Sequence, residues 1–126
     1  MIVFDLNNMK QVNDTFGHVA GDKYIKSGCD LISEFFKNSL VFRVGGDEFI
    51  VIPEGQDFAN RNEILASFNN RIIKNTADGS IVIAFGVAEY IPGKDKTCQQ
   101  IVERADQLMY EQKELLKKLS VPFANK

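Results

Sequence analysis

The sequence predicts an α+β fold with an antiparallel central sheet flanked by helices. Three observations carry that expectation. Apolar runs of strand length (residues 1–6, 40–52 and 81–87) alternate with longer segments whose apolar residues recur every three or four positions. A glycine pair, Gly45-Gly46, splits the middle run, so that it reads as strand, turn and strand. The resulting order is strand, helix, strand-turn-strand, helix, strand, helix. This is the β-α-β-β-α-β arrangement of a ferredoxin-like core with one extra helix.

Each element has a local reason. Ile2 to Leu6 reads as a short buried strand, and Asn7 to Phe16 as a polar, turn-rich stretch with one helical turn near Met9–Asn13. Gly17 to Asp22 leads into a helix whose apolar stripe is Ile25, Gly28/Cys29, Ile32 and Phe35/Phe36. Leu40–Val44 and Phe49–Ile52 form the hairpin, and its glycines are expected to supply the positive φ of a tight turn. Asp57 is expected to cap the following helix, whose buried side is Phe58, Leu65, Phe68 and Ile72. Ile81, Ile83, Phe85 and Val87 read as a central strand covered on both faces. Thr97 begins the last helix, with Ile101/Val102, Ala105, Leu108/Met109 and Gln112/Leu116 on its stripe. Phe35, Phe36, Phe42 and Phe49 are expected in the core, and Arg104 with Asp106 as a structural pair.

Composition narrows the function. The chain has 126 residues, enough for one domain with its own core, with 44% hydrophobic and 25% charged residues. A net charge of −2 gives no general basic field, so neither a nucleic acid polymer nor an anionic membrane surface is an expected partner. No apolar run approaches the ~20 residues that span a bilayer. Neither cysteine, Cys29 or Cys98, sits in a C-x-x-C pair, and a reducing, cytoplasmic setting is the plain reading.

The chemistry concentrates at strand ends. Asp47 and Glu48 are adjacent at the hairpin turn, and like charges side by side are costly unless a cation or donors lie among them. Asp5 brings a third carboxylate near the end of the first strand. Three carboxylates at one sheet edge point to a divalent-cation site, and the neighbouring glycines leave room for a ligand to touch backbone. The pattern is one of nucleotide handling.

Three motifs then carry a resemblance. Phe4-Asp5-Leu6-Asn7-Asn8-Met9-Lys10-Gln11-Val12-Asn13-Asp14-Thr15-Phe16-Gly17-His18-Val19-Ala20-Gly21-Asp22, Gly45-Gly46-Asp47-Glu48-Phe49 and Glu103-Arg104-Ala105-Asp106-Gln107-Leu108-Met109-Tyr110 together strongly resemble the GGDEF family. Its active members are diguanylate cyclases, which condense two GTP molecules to cyclic di-GMP with release of two pyrophosphates. The resemblance implies a metal set of Asp5, the Leu6 carbonyl, Asp47 and Glu48, holding Mg²⁺ or alternatively Mn²⁺. Asp47 and Glu48 would be the catalytic pair beside the reacting 3′-hydroxyl. Asn13 and Asp22 match the guanine-reading positions, Gly45 and Gly46 let the nucleotide lie against the turn, and Lys113 and Lys117 match phosphate-binding positions. Lys10 and the backbone of Asn8 and Met9 would lie near the terminal phosphates. His18 would border the substrate as a helix-entry residue rather than as a base. A homodimer is implied, because each domain holds one GTP, and sensory or receiver domains are expected in the full-length protein, for which membrane attachment is compatible with this reading.

The chain also departs from the family pattern. The Asp-x-Leu-Thr-Gly-Leu-x-Asn-Arg segment that usually precedes the first strand is missing, so residues 1–126 are expected to be one GGDEF-type domain of a longer protein. The Arg-x-x-Asp product-inhibition site is replaced by Phe36-Lys37-Asn38-Ser39, and the usual Gly-Arg-Asn near the end by Lys117-Lys118-Leu119-Ser120. The alternative reading is a catalytically inactive module that binds GTP or a partner protein. A palm-like nucleotidyl transferase of another kind shares the two-metal logic but not the match at Asn13 and Asp22.

Overall fold

A computed structural model describes residues 1–7, 9–78, 80–89 and 91–119, the side chains of Lys117 and Leu119 excepted. The element order is β1 (Ile2–Leu6), α1 (Met9–Phe16), α2 (His18–Phe35), β2 (Leu40–Arg43), β3 (Glu48–Ile52), α3 (Gly55–Ala59), α4 (Arg61–Asp78), β4 (Ile83–Val87) and α5 (Cys98–Leu119). The sheet runs β2-β3-β1-β4, antiparallel at every pairing. This is the α+β arrangement expected, with β1 near its middle.

Residue alternation divides β1 between two faces. Phe4 points to one side and meets Phe36 and Phe68 edge-on, with ring centroids 6.1 and 5.3 Å apart. Ile32, Phe49, Val51 and Ile72 complete that buried core with α2 and α4. Val3 and Asp5 take the opposite face, where they pair across to Gly86 and Ala84 of β4. Helix α5 lies there. Gly86 permits the approach, since a Cβ at that position would stand 1.9 Å from the carbonyl oxygen of Ala105.

Several local expectations are corrected. The stretch from Met9 is a two-turn helix, α1, because Val12 buries against the rest of the fold. β4 is an edge strand, not a central one, and Ile81 lies outside it. Both faces are covered as expected, one by α5 over Gly86 and the other where Phe85 meets Phe4 and Phe68, and Gln112 of α5 accepts the Phe85 amide and donates to Asn69 of α4 at 3.2 Å. A helix therefore covers the exposed edge. Asp57 caps no helix. It is buried inside α3 and accepts from the Asn38 amide at 2.8 Å and the Ser39 hydroxyl at 2.7 Å, tying the α2–β2 link. Phe58 is 51% exposed beneath the Arg61 guanidinium, and Phe42 is 44% exposed on the outer strand, so neither belongs to the core. Thr97 does cap α5: its hydroxyl accepts from the Gln100 amide at 3.3 Å while Gln100 reaches back to the Thr97 amide. The cysteines are unpaired, Cys29 half-buried and Cys98 exposed.

Candidate nucleotide and metal site

The hairpin turn is fastened to the end of β1. Asp5 stands opposite Glu48 in the strand register, and the Leu6 amide donates to the Asp47 carbonyl at 3.0 Å. The Leu6 side chain is in the core, so only its backbone is left to serve the site. Across the turn, the Val44 amide donates to the Glu48 carbonyl at 3.0 Å. Arg43 bends over the turn, donating from Nε to Gly45 O at 3.2 Å and from Nη2 to Gly46 O at 2.9 Å.

Neither turn glycine has positive φ, contrary to the sequence expectation. Four residues, 44–47, separate the strands, and Arg43 satisfies the exposed carbonyls, so the tight two-residue geometry is not needed. A Cβ at Gly46 would have no atom within 4 Å, and one at Gly45 would make an ordinary 3.7 Å contact with Glu48. Conformation and packing thus leave both positions open to a side chain. Their bareness keeps the surface in front of the turn clear.

The acidic groups crowd one another. Burial pushes the Asp5 carboxyl above its ordinary range, with the Asp47 charge adding to it and Lys113 pulling it back. Lys113 Nζ lies 3.0 Å from Asp5 Oδ2, and the other oxygen, Oδ1, is buried without a hydrogen-bond partner. Glu48 is likewise raised, first by burial and then by Asp106, Asp5 and Asp47. Asp106 is therefore a member of this cluster, and its Oδ1 is also buried and unpartnered. The expected Arg104–Asp106 pair is corrected: Arg104 grips Asp95, with Nη2 2.8 Å from Oδ2, and donates to the Glu89 carbonyl. Helical geometry sends residues 104 and 106 to different sides.

Whether these residues suit a divalent cation is a question of donor chemistry. Carboxylate oxygens are the hard ligands such ions take, and Asp5 Oδ1 offers lone pairs that nothing else satisfies. Among the described residues no three acidic, histidine or cysteine groups already converge as a ready cage. Lys113 holds the place of positive charge beside Asp5 instead. The donor set fits; the side chains are not drawn together around a common point.

Next to this cluster a cavity of about 250 Å³ is lined by Asn13, His18, Asp22, Arg43, Gly46 and Asp47, with Met9 and Ile25 as its apolar members. Residues expected at a base, at a turn and at a metal therefore share one wall. Gly45 is at the turn but does not line the cavity, and Lys10, exposed on α1, is not among its lining residues. Asn8 and the Lys117 side chain fall outside the described residues. Arg43 and Asp106 were missed by sequence reasoning. Asp106 could have been found from its seven-residue spacing to Lys113, which places both on one face of α5.

Comparison with known proteins identifies the family and the fold. The family model described as diguanylate cyclase, GGDEF domain, matches residues 1–118. The chain is 32% identical over 118 residues to diguanylate cyclase DgcS of Shewanella oneidensis, covering 90% of this chain and 38% of that protein. It is 29% identical over 132 residues to diguanylate cyclase VdcA of Vibrio cholerae, covering 98% and 38%. The chain thus spans well under half the length of these relatives. Among solved structures, the active GGEEF domain of a diguanylate cyclase from Vibrio cholerae superposes with a TM-score of 0.70 at 27% identity, over 90% of this chain and 75% of that one. The GGDEF domain of DgcB from Caulobacter crescentus, solved in complex with c-di-GMP, gives 0.69 at 26% identity, over 90% and 70%.

Proposed function

The chain belongs to the GGDEF family, and we propose that it is the catalytic domain of a diguanylate cyclase, binding one GTP and condensing it with a second held by a partner copy. One observation carries this reading. The cavity that Asn13 and Asp22 line also reaches Asp47 and Gly46, so a base and the phosphate-bearing end of its nucleotide can be held at once.

Each residue then has a task. Asn13 and Asp22 accept and donate at the guanine edge, where a carboxylate suits the N1–H and N2–H donors and faces an acceptor on adenine. His18, with Met9 and Ile25, borders the nucleotide. Asp5, Asp47, Glu48 and the Leu6 carbonyl hold a divalent cation, magnesium or manganese, which polarises phosphate oxygens and stabilises the attacking and leaving ones when bound. Lys113 and Lys117 supply positive charge toward the phosphates, and Lys10 does so from α1. Gly45 and Gly46 keep the approach open. The 3′-hydroxyl of one GTP attacks the α-phosphate of the other, losing its proton near Asp47; repeated in the opposite sense, this forms two phosphodiester bonds and expels two pyrophosphates.

One domain cannot close this ring, so a homodimer with facing sites is part of the proposal. The remainder of a longer polypeptide, with a sensory or receiver domain, would set that encounter, in the cytoplasm where GTP is supplied. No helix among the described residues is long and apolar enough to cross a membrane. The test is to fuse the chain to a dimerising module, supply GTP and Mg²⁺, and separate the products by chromatography. Cyclic di-GMP is expected, and Asp47→Ala is expected to abolish it. GTP bound without turnover would move the assignment to a receptor module.

A further inference from the structure

Helices α1 and α2 meet at a residue that has no side chain. Gly21 is buried in the first turn of α2, and its φ is not in the left-handed region. Alanine is the better helix former at such a position, so backbone freedom does not explain the glycine. Space does. A Cβ built at Gly21 would lie 1.8 Å from Asn13 Oδ1, 2.9 Å from Asn13 Cγ and 3.2 Å from the end of Met9. The Asn13 carboxamide therefore occupies the volume that any other residue at 21 would fill.

Asn13 lines the 250 Å³ cavity together with Asp22, the neighbour of Gly21. The backbone carries the same arrangement: the Gly17 amide donates to the Asn13 carbonyl at 2.9 Å, and the Gly21 amide to the Gly17 carbonyl at 3.1 Å. The end of α1 and the start of α2 are thus joined through Gly17, while the side chain of Asn13 rests over Gly21. With the main chain so fixed, a methyl group at 21 leaves Asn13 one response, which is to rotate its amide away.

We propose that Gly21 is a positioning residue for base selection: its missing side chain seats the Asn13 amide beside Asp22, so that both face one nucleobase. This rests on the GTP reading given above. Gly21 does not touch the nucleotide and acts only through Asn13. The same seat could not be made by shortening Asn13, because the amide itself is the group being placed.

The experiment measures GTP and ATP affinities in Mg²⁺ by calorimetry for the wild type, Gly21→Ala, Asn13→Ala and the double variant. Gly21→Ala is expected to keep its helical circular dichroism, to weaken GTP about tenfold, as loss of one hydrogen bond would, and to narrow the preference over ATP. In the Asn13→Ala background the same change should have almost no effect, because the clashing amide is gone. Gly21→Ala with unaltered affinity and preference overturns the inference while the GTP reading stands. So do independent, multiplying losses in the double variant. A wild type that does not prefer GTP overturns the GTP reading and takes this inference with it. Should Gly21→Ala unfold, the double variant decides: recovered folding supports the steric seat, and continued unfolding refutes it.

Discussion

Lys113 Nζ lies 3.0 Å from Asp5 Oδ2, an ion pair that joins the last helix to the end of the first strand across 108 positions of chain. Both side chains are mostly buried, at 23% and 14% exposure, so water screens the pair little. The lysine answers only one carboxylate oxygen and leaves the other unpartnered.

Lys113→Met should therefore strand a buried carboxylate and lower the stability of the metal-free protein by about 1–3 kcal/mol. A divalent cation restores the missing positive charge. Thermal melts in chelator and in Mg²⁺ should show a larger Mg²⁺-induced rise for the variant than for the wild type. An equal rise in both would mean that Asp5 does not receive the ion.

Glu48 supplies a pH test. Burial and its acidic neighbours raise its pKa, so the folded state binds a proton more tightly than the unfolded one. The stability this contributes is whole below the ordinary carboxylate range near about pH 4 and is lost as pH rises through the higher folded value. Glu48→Gln removes that loss. In chelator the variant should melt a few degrees above the wild type at neutral pH, with the gap closing toward pH 4; in Mg²⁺ the proposed cyclase activity should disappear. A gap that widens on acidification would reverse the sign and reject the account.

Gly86→Ala tests the seat of α5. The added methyl would meet the Ala105 carbonyl oxygen at 1.9 Å and the Met109 amide nitrogen at 2.6 Å, both main-chain atoms that cannot rotate aside. A loss of about 2–3 kcal/mol is expected by urea unfolding. Turnover should fall as well, because the helix carries Asp106 toward Glu48 and Lys113 toward Asp5.

Gly46→Ala is the converse. No atom lies within 4 Å of the new methyl, so stability should stay within about 0.5 kcal/mol of wild type. GTP affinity should nevertheless fall severalfold, because the methyl enters the approach to the cavity. Unchanged binding by titration would show that the nucleotide does not pass that surface.

Much of this was readable in the chain because its cause is local. Alternation and three-to-four spacing mark strands and helices over a few residues, and the three motifs brought Asp5, Asp47, Asn13 and Asp22 into view. Where reading failed, the cause was distant. Asp57 looks like a cap beside its own helix, yet its partners are Asn38 and Ser39 at the end of another. Phe58 sits on an apolar period but faces outward, stacked on Arg61. The turn glycines invite positive φ, and Arg43 removes the need for it.

The order of strands and helices, and the acidic character of the strand ends, follow from neighbours along the backbone, where periodicity and charge act over a turn or two. Three further facts arise only once the chain is packed: β4 lies at the edge, Asp106 leans toward Glu48 and away from Arg104, and a lysine from the last helix pairs with Asp5. The last two depend on α5 settling over Gly86, a contact between segments far apart in sequence; the apolar stripe of α5 marks the side that faces the sheet, but not which strand that side meets.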